Sequence, residues 1–164
     1  MELKFSVFPR HQSPGFVIYR ASTCLKAALN RAFQEAGVNV TPEQWAVLSS
    51  LWEKDGVVQR TLAERTSKDR HNVTRILNLL EKAGMVRREP HLKDKRCQKI
   101  FLTRKGKDIK KDLVPIAMDF LDHALAGLTQ EDLQAIFRIL GQVIKNVAGT
   151  DDSGAASCVP CVDD

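Results

Sequence analysis

The sequence predicts a mainly α-helical fold with a small β-wing: a winged helix-turn-helix flanked by long helices. Three observations carry this. Residues 58–83 read as two helices separated by a polar turn. Two strand-like runs around a charged tip follow directly, at 85–88 and 97–103. Longer amphipathic patterns lie on both sides, at 16–36 and 104–148.

Composition sets the frame. A chain of 164 residues holds one domain, or one compact domain plus extensions, and a 43% hydrophobic content is enough for a core. No run of 18 apolar residues occurs, so no membrane span is expected. The first residues carry charges at Glu2, Lys4 and Arg10 among short apolar pieces, unlike a signal peptide, so a cytoplasmic location is expected. The four cysteines then read as free thiols, not as a disulfide framework.

In chain order, Pro9, Ser13, Pro14 and Gly15 argue against a regular element over 1–15, which reads as an N-terminal arm. Phe16–Ala36 reads as a long helix. Ile18, Ala21, Leu25, Ala28, Leu29, Ala32 and Phe33 keep helical spacing, and Gly37 stops it. Thr41-Pro42-Glu43-Gln44 is a helix start, with Thr41 and Gln44 placed for a capping box and Pro42 at the first helical position. Trp45, Leu48, Leu51 and Trp52 form the buried face of that helix, which ends at Lys54-Asp55-Gly56.

A short helix is expected over Val58–Thr66, then a turn at Ser67-Lys68-Asp69, then a helix over Arg70–Ala83. In this last helix Val73, Ile76, Leu77 and Leu80 form one buried stripe. Asp69 caps its start and Gly84 suits the left-handed position at its end. Strands are expected at Met85–Arg88 and Cys97–Thr103, with Ile100 and Leu102 on one face and Phe101 on the other. Thr103 caps a helix running to about Ala126, which Pro115 should bend or break. Thr129 starts a final helix with Leu133, Ile136, Phe137, Leu140, Val143, Ile144 and Val147 along one side. From Gly149 the chain is small, polar and acidic, and reads as a disordered tail containing Cys158-Val159-Pro160-Cys161.

Charge points to a partner. Residues 57–107 hold 15 Lys/Arg and 5 Asp/Glu, a net of +10. The whole chain has 25 and 20, so the remainder is 10 minus 15, or −5. Positive charge is thus concentrated on the helix-turn-helix, as a phosphate backbone requires. The face of the second helix opposite its apolar stripe carries Arg70, His71, Asn72, Thr74, Arg75 and Asn78. Arginine suits guanine and asparagine suits adenine in the major groove. A polar outer face is also what any solvated helix shows, and the charge map is what favours DNA.

These residues carry a family resemblance. Leu62-Ala63-Glu64-Arg65, Val73-Thr74-Arg75-Ile76, Leu80-Glu81, Gly84, Val86, Arg88, Asp94-Lys95-Arg96, Leu102-Thr103 and Gly106 stand in the order and spacing of a known pattern. Over 41–145 the chain closely resembles the MarR family of bacterial winged-helix regulators. It departs from that pattern at Ser67-Lys68, where a glycine and an apolar residue are usual. It departs again at Lys95, usually arginine, and at His91-Leu92, near a common Asp-Pro.

The resemblance implies a transcriptional regulator, usually a repressor, acting as a homodimer on double-stranded DNA. Residues 16–40 and 107–148 would then be dimerisation helices around a DNA-binding domain at 41–106, and a dimer would cover apolar surface that one small domain leaves bare. Two reading helices about one DNA turn apart, roughly 34 Å, imply a palindromic operator. Arg70, His71, Asn72 and Arg75 are the base-edge candidates, and Lys68, Thr74 and Asn78 the phosphate candidates. By the same resemblance Arg96 enters the minor groove and Asp94 orients the wing, while Lys93 and Lys95 add non-specific affinity.

Relatives respond to small aromatic acids or to oxidants. Phe16, Tyr19, Trp45 and Trp52 are the aromatic candidates for an effector pocket; aromatics at this spacing also serve as plain core. Cys24, Cys97, Cys158 and Cys161 are the redox candidates; Lys95, Arg96 and Lys99 beside Cys97 could favour a thiolate there. A single CxxC supplies two ligands where structural zinc sites use four, so no metal and no cofactor is expected. No nucleophile–base arrangement, phosphate loop or HExxH motif supports an enzyme. The rival reading is a winged helix that binds protein; it needs neither the donors at 70–75 nor an arginine in the wing.

Overall fold

The computed structural model describes residues 13–90 and 97–148. Residues 1–12 of the arm, the wing tip at 91–96 and the tail at 149–164 lie outside the described residues. So do Lys93, Asp94, Lys95, Arg96, Cys158 and Cys161. The chain runs α1 (Pro14–Glu35), α2 (Pro42–Glu53), β1 (Val57–Val58), α3 (Gln59–Arg65) and α4 (Arg70–Lys82). It continues with β2 (Val86–Pro90), β3 (Gln98–Leu102), α5 (Arg104–Asp108), α6 (Lys110–Ala124) and α7 (Gln130–Ala148).

Local chemistry sets the helix starts. The Thr41 hydroxyl accepts from the Gln44 backbone N–H, and the Gln44 side chain accepts from that of Thr41, closing the capping box. Asp69 accepts from the Asn72 N–H at 2.8 Å, and Thr103 from the Gly106 N–H at 3.1 Å. Thr129 and Asp132 cap α7 reciprocally. The Thr129 hydrogen bonds hold the Asp132 carboxyl below the ordinary carboxylate range. Gly84 takes φ +70 after α4, the left-handed conformation that costs glycine least.

The core is the helix-turn-helix itself. Leu48 and Leu51 of α2, Leu62 of α3, the stripe Val73, Ile76, Leu77 and Leu80 of α4, and Ile100 of β3 are fully buried. Phe33 of α1 and Leu113 of α6 close it from the other side. Phe33 packs at a tilt against Trp45, and Trp45 meets Trp52 edge to face at 5.4 Å between ring centroids. The Trp52 Nε1–H donates to the Gly106 carbonyl at 2.8 Å, which fixes α5 against α2.

Four differences from the sequence reading have physical reasons. Pro14 and Gly15, read as the end of the arm, instead open α1, because the Ser13 hydroxyl accepts from the Phe16 N–H and Pro14 suits the first helical position. The sheet has three antiparallel strands, ordered β1-β3-β2, with Val57 opposite Ile100 and Val86 opposite Leu102. Val57 and Val58 therefore belong mainly to a strand rather than to the start of a helix. Two residues carry no periodicity; their pairing comes from β3, with the Gly56 N–H donating to the Ile100 carbonyl and the Leu102 N–H to Asp55. The helix expected from Arg104 to Ala126 is divided at Ile109, and α6 then continues through Pro115. Pro115 and Lys111, whose carbonyl loses its partner, are both exposed, so that carbonyl can be hydrated. Finally, α7 carries its apolar stripe, but none of residues 130–147 is buried. Phe137 is 76% exposed.

Candidate nucleic-acid interface

The candidate face is built on α4. Its apolar stripe is locked in the core, so the opposite side is held rigidly outward. There Arg70, His71, Arg75 and Asn78 are exposed, and Asn72, Thr74 and Lys68 are half-buried. The Asn72 Oδ1 accepts from the Arg75 guanidinium at 3.2 Å. That contact leaves the Asn72 amide N–H groups and most of the guanidinium N–H groups as donors on one surface.

The first turn of α4 is fixed by a residue that sequence reasoning passed over. The Gln59 Nε2–H group donates to the Thr74 hydroxyl at 2.6 Å and to the Arg70 carbonyl at 3.2 Å. Thr74 donates in turn to the Arg70 carbonyl at 2.8 Å. The Thr74 hydroxyl hydrogen is thus spent inside the helix-turn-helix, and Gln59 ties α3 to the start of α4. The only sequence signal for Gln59 was a polar residue following two valines.

A second tie joins α4 to the wing. The Arg88 guanidinium donates to Glu81 at 2.6 Å and to the Asn78 Oδ1 at 2.7 Å. Arg88 belonged to the motif without a role; its side chain is only 19% exposed and sets β2 against the last turns of α4. Asn78 is exposed, and only its Oδ1 is engaged by this tie. At the end of α4 the Lys105 ammonium donates to the Ala83 carbonyl at 2.8 Å, a cation where the helix dipole favours one. Along the wing, Arg87 lies 5.0 Å over the Phe101 ring and pairs with Glu89.

The four aromatic candidates are not gathered in one place on the chain. Trp45 and Trp52 pack together beside Phe33. Phe16 and Tyr19 lie on the same helix as Phe33 but about 20–25 Å up its axis, at 1.5 Å per residue. Phe16 instead lines a shallow groove on α1 with Val17, Arg20, Ala21 and Cys24. Cys24 and Cys97 are both exposed.

A three-helix reading unit with a β-wing, a rigid donor-bearing helix and a basic surround defines a winged-helix, DNA-binding class of protein. Comparison with known proteins gives the family. The MarR family model matches residues 40–98. The chain is 31% identical over 110 residues to the HTH-type transcriptional regulator YybA of Bacillus subtilis, covering 67% of this chain and 73% of that protein. Its fold matches Sco3205, a MarR family transcriptional regulator of Streptomyces coelicolor solved in complex with DNA. The TM-score is 0.76 at 23% identity, over 92% of this chain and 98% of that one. It also matches BpsR of Bordetella bronchiseptica, whose structure concerns regulation of DNA binding by 6-hydroxynicotinic acid. There the TM-score is 0.76 at 19% identity, over 83% and 96% of the two chains.

This chain belongs to the MarR family and is a DNA-binding transcriptional regulator. Among the described residues no helix is long and apolar enough to cross a membrane.

Proposed function

We propose that the protein is a homodimeric repressor that reads an imperfect palindromic operator in the cytoplasm and leaves it on binding a small aromatic ligand or on oxidation. The observation that carries the reading role is α4, with four buried apolar residues behind exposed Arg70, His71, Arg75 and Asn78. Arg70, His71, Asn72 and Arg75 contact base edges. Lys68 and Asn78 contact phosphates, and Thr74 acts with Gln59 to place the first turn. In the wing Arg96 enters the minor groove, Asp94 orients it, and Lys93 and Lys95 add electrostatic affinity.

Dimerisation through 16–40 and 107–148 is supported by bare apolar surface. Val17 of α1 and Met118 of α6 are each 53% exposed, and Ile139 and Val147 of α7 are 52% and 63% exposed. On α7 the exposed apolar residues recur at helical spacing, the pattern a packing partner covers. Release by a ligand is supported by the likeness to BpsR, and release by oxidation by the exposure of Cys24 and Cys97.

Fluorescence anisotropy against the DNA upstream of the protein's own gene, with a scrambled duplex as control, tests this reading. The upstream DNA alone should bind tightly, and affinity should fall steeply across a salt series because phosphate neutralisation releases counterions. Equal, weak binding to both duplexes would overturn sequence-specific repression at that site. The same titration with an oxidant separates the cysteine route from the ligand route.

A further inference from the structure

The turn between α2 and β1 grips the foot of the wing. Sequence spacing gives Asp55 no more than the end of a helix, but the strand pairing gives it a partner. Val57 stands opposite Ile100 and Val58 opposite Lys99, and the same register sets Asp55 opposite Leu102. There the ladder changes chemistry. The Leu102 N–H donates at 2.9 Å to Asp55 Oδ1, in place of the backbone carbonyl that a longer β1 would offer. The same oxygen accepts from the Gly56 N–H at 2.9 Å. Leu102 is buried, and a buried N–H that loses its acceptor is unfavourable.

The neighbouring residues tighten the grip. Gly56 takes φ +69, and a Cβ there would lie 2.5 Å from Phe101 Cε1, so the ring packs on the glycine itself. Arg87, opposite Phe101 on β2, lies 5.0 Å over that ring. Leu102 by its amide and Phe101 by its ring are thus held at one turn, and β2 joins through Arg87. The other carboxylate oxygen, Oδ2, is 3.9 Å from the Lys107 ammonium, an open pair worth little by itself. From this clasp β3 runs to Gln98, about 13 Å by the usual strand rise. A tilt of about 10° at the clasp moves that far end by roughly 2 Å, well beyond the range of a hydrogen-bond distance.

We propose that Asp55 is the positioning residue of the wing. Its Oδ1, by holding the Leu102 amide, sets the angle at which the β2–β3 hairpin leaves the helix-turn-helix, and so where the wing meets DNA. The acceptor oxygen does this, not the charge. The contact with DNA rests on the function proposed above; the hold on the hairpin does not.

Backbone residual dipolar couplings on the full chain test the hold without DNA. In Asp55→Ala the couplings of 98–102, referred to the axis of α4, should report a tilt of at least about 5°, enough to move Gln98 by about 1 Å. Asp55→Asn keeps the acceptor and should match the wild type. Asp55→Glu keeps the charge but carries the oxygen one methylene further, so it should tilt the hairpin as well, and it reads the proposal should the alanine variant not fold. Wild-type couplings in both Asp55→Ala and Asp55→Glu overturn the proposal.

Anisotropy against the same upstream DNA reads the consequence. Asp55→Ala removes a negative charge, so electrostatics alone would tighten binding. We expect it to weaken several-fold, while Asp55→Asn, with the same charge removed, binds at least as tightly as the wild type. Arg96→Ala should cost little more in the Asp55→Ala background, whereas Asn72→Ala should keep its full effect there. If Asp55→Ala and Asp55→Asn tighten binding alike, charge is all that Asp55 contributes and the role in DNA contact is overturned. A tilted hairpin in a protein that ignores DNA overturns the DNA reading and leaves the hold of Asp55 on the wing standing.

Discussion

Gln59 and Thr74, on different helices, are joined by a 2.6 Å hydrogen bond, and Gln59 reaches the Arg70 carbonyl as well. One side chain therefore sets how the first turn of α4 leaves α3. Gln59→Ala should cost about 1 kcal/mol of stability, the net worth of such bonds. Its effect on operator affinity should be larger than the same stability loss produces elsewhere in the core. Urea unfolding and anisotropy on one variant check both; a fully folded variant with unchanged affinity would remove Gln59 from the positioning role.

Base contacts and backbone contacts should separate by mutation. Asn72→Ala should relax preference at one base pair, by roughly 1–3 kcal/mol of discrimination. Arg96→Ala should weaken binding several-fold for all sequences that share a narrow minor groove, with little change in unfolding. Selection from a randomised duplex library reads the first, and affinity on a fixed operator reads the second.

Gly106 is required by a close approach. A Cβ built there would overlap the Met85 carbonyl oxygen, which belongs to the backbone and cannot swing aside. The same residue accepts from Trp52. Gly106→Ala should destabilise by roughly 1–3 kcal/mol, the range for overpacking a filled site. Chemical denaturation measures it, and a neutral result would mean that β2 and α5 can move apart freely.

Ser67 holds φ +50, among the described residues the one non-glycine in the left-handed region. It stands where related sequences usually place glycine. The left-handed conformation costs an L-residue roughly 1–2 kcal/mol, partly offset by the greater freedom of an unfolded glycine. Ser67→Gly should therefore raise the urea midpoint, and Ser67→Val should lower it.

The exposed ring of Phe137 marks the surface expected between copies of the chain. Phe137→Asp should shift sedimentation from dimer to monomer while keeping the helical circular dichroism of the reading unit. It should also weaken operator binding, because one half-site holds one helix only. A variant that still sediments as a dimer would place the interface away from this part of α7.

Much of this protein could be read along the chain, because periodicity and caps are local. Val73, Ile76, Leu77 and Leu80 declare their stripe by spacing, and Asp69, Thr41 and Thr103 declare helix starts by their chemistry. The donors on α4 followed from that stripe, since whatever opposes a buried face is outside. Contacts between distant residues left no such trace. β1 exists because β3 pairs with it, Gln59 matters because α3 and α4 meet at Thr74, and Arg88 matters because β2 passes Glu81 and Asn78. Nor could spacing show that Phe16 and Trp45, both aromatic, sit far apart, or that the Ser50 hydroxyl is buried without a partner. Helix identity is encoded over a few residues by steric and hydrogen-bonding preferences. The partners of a side chain depend on which elements pack together, and that follows from the burial of the whole apolar surface at once.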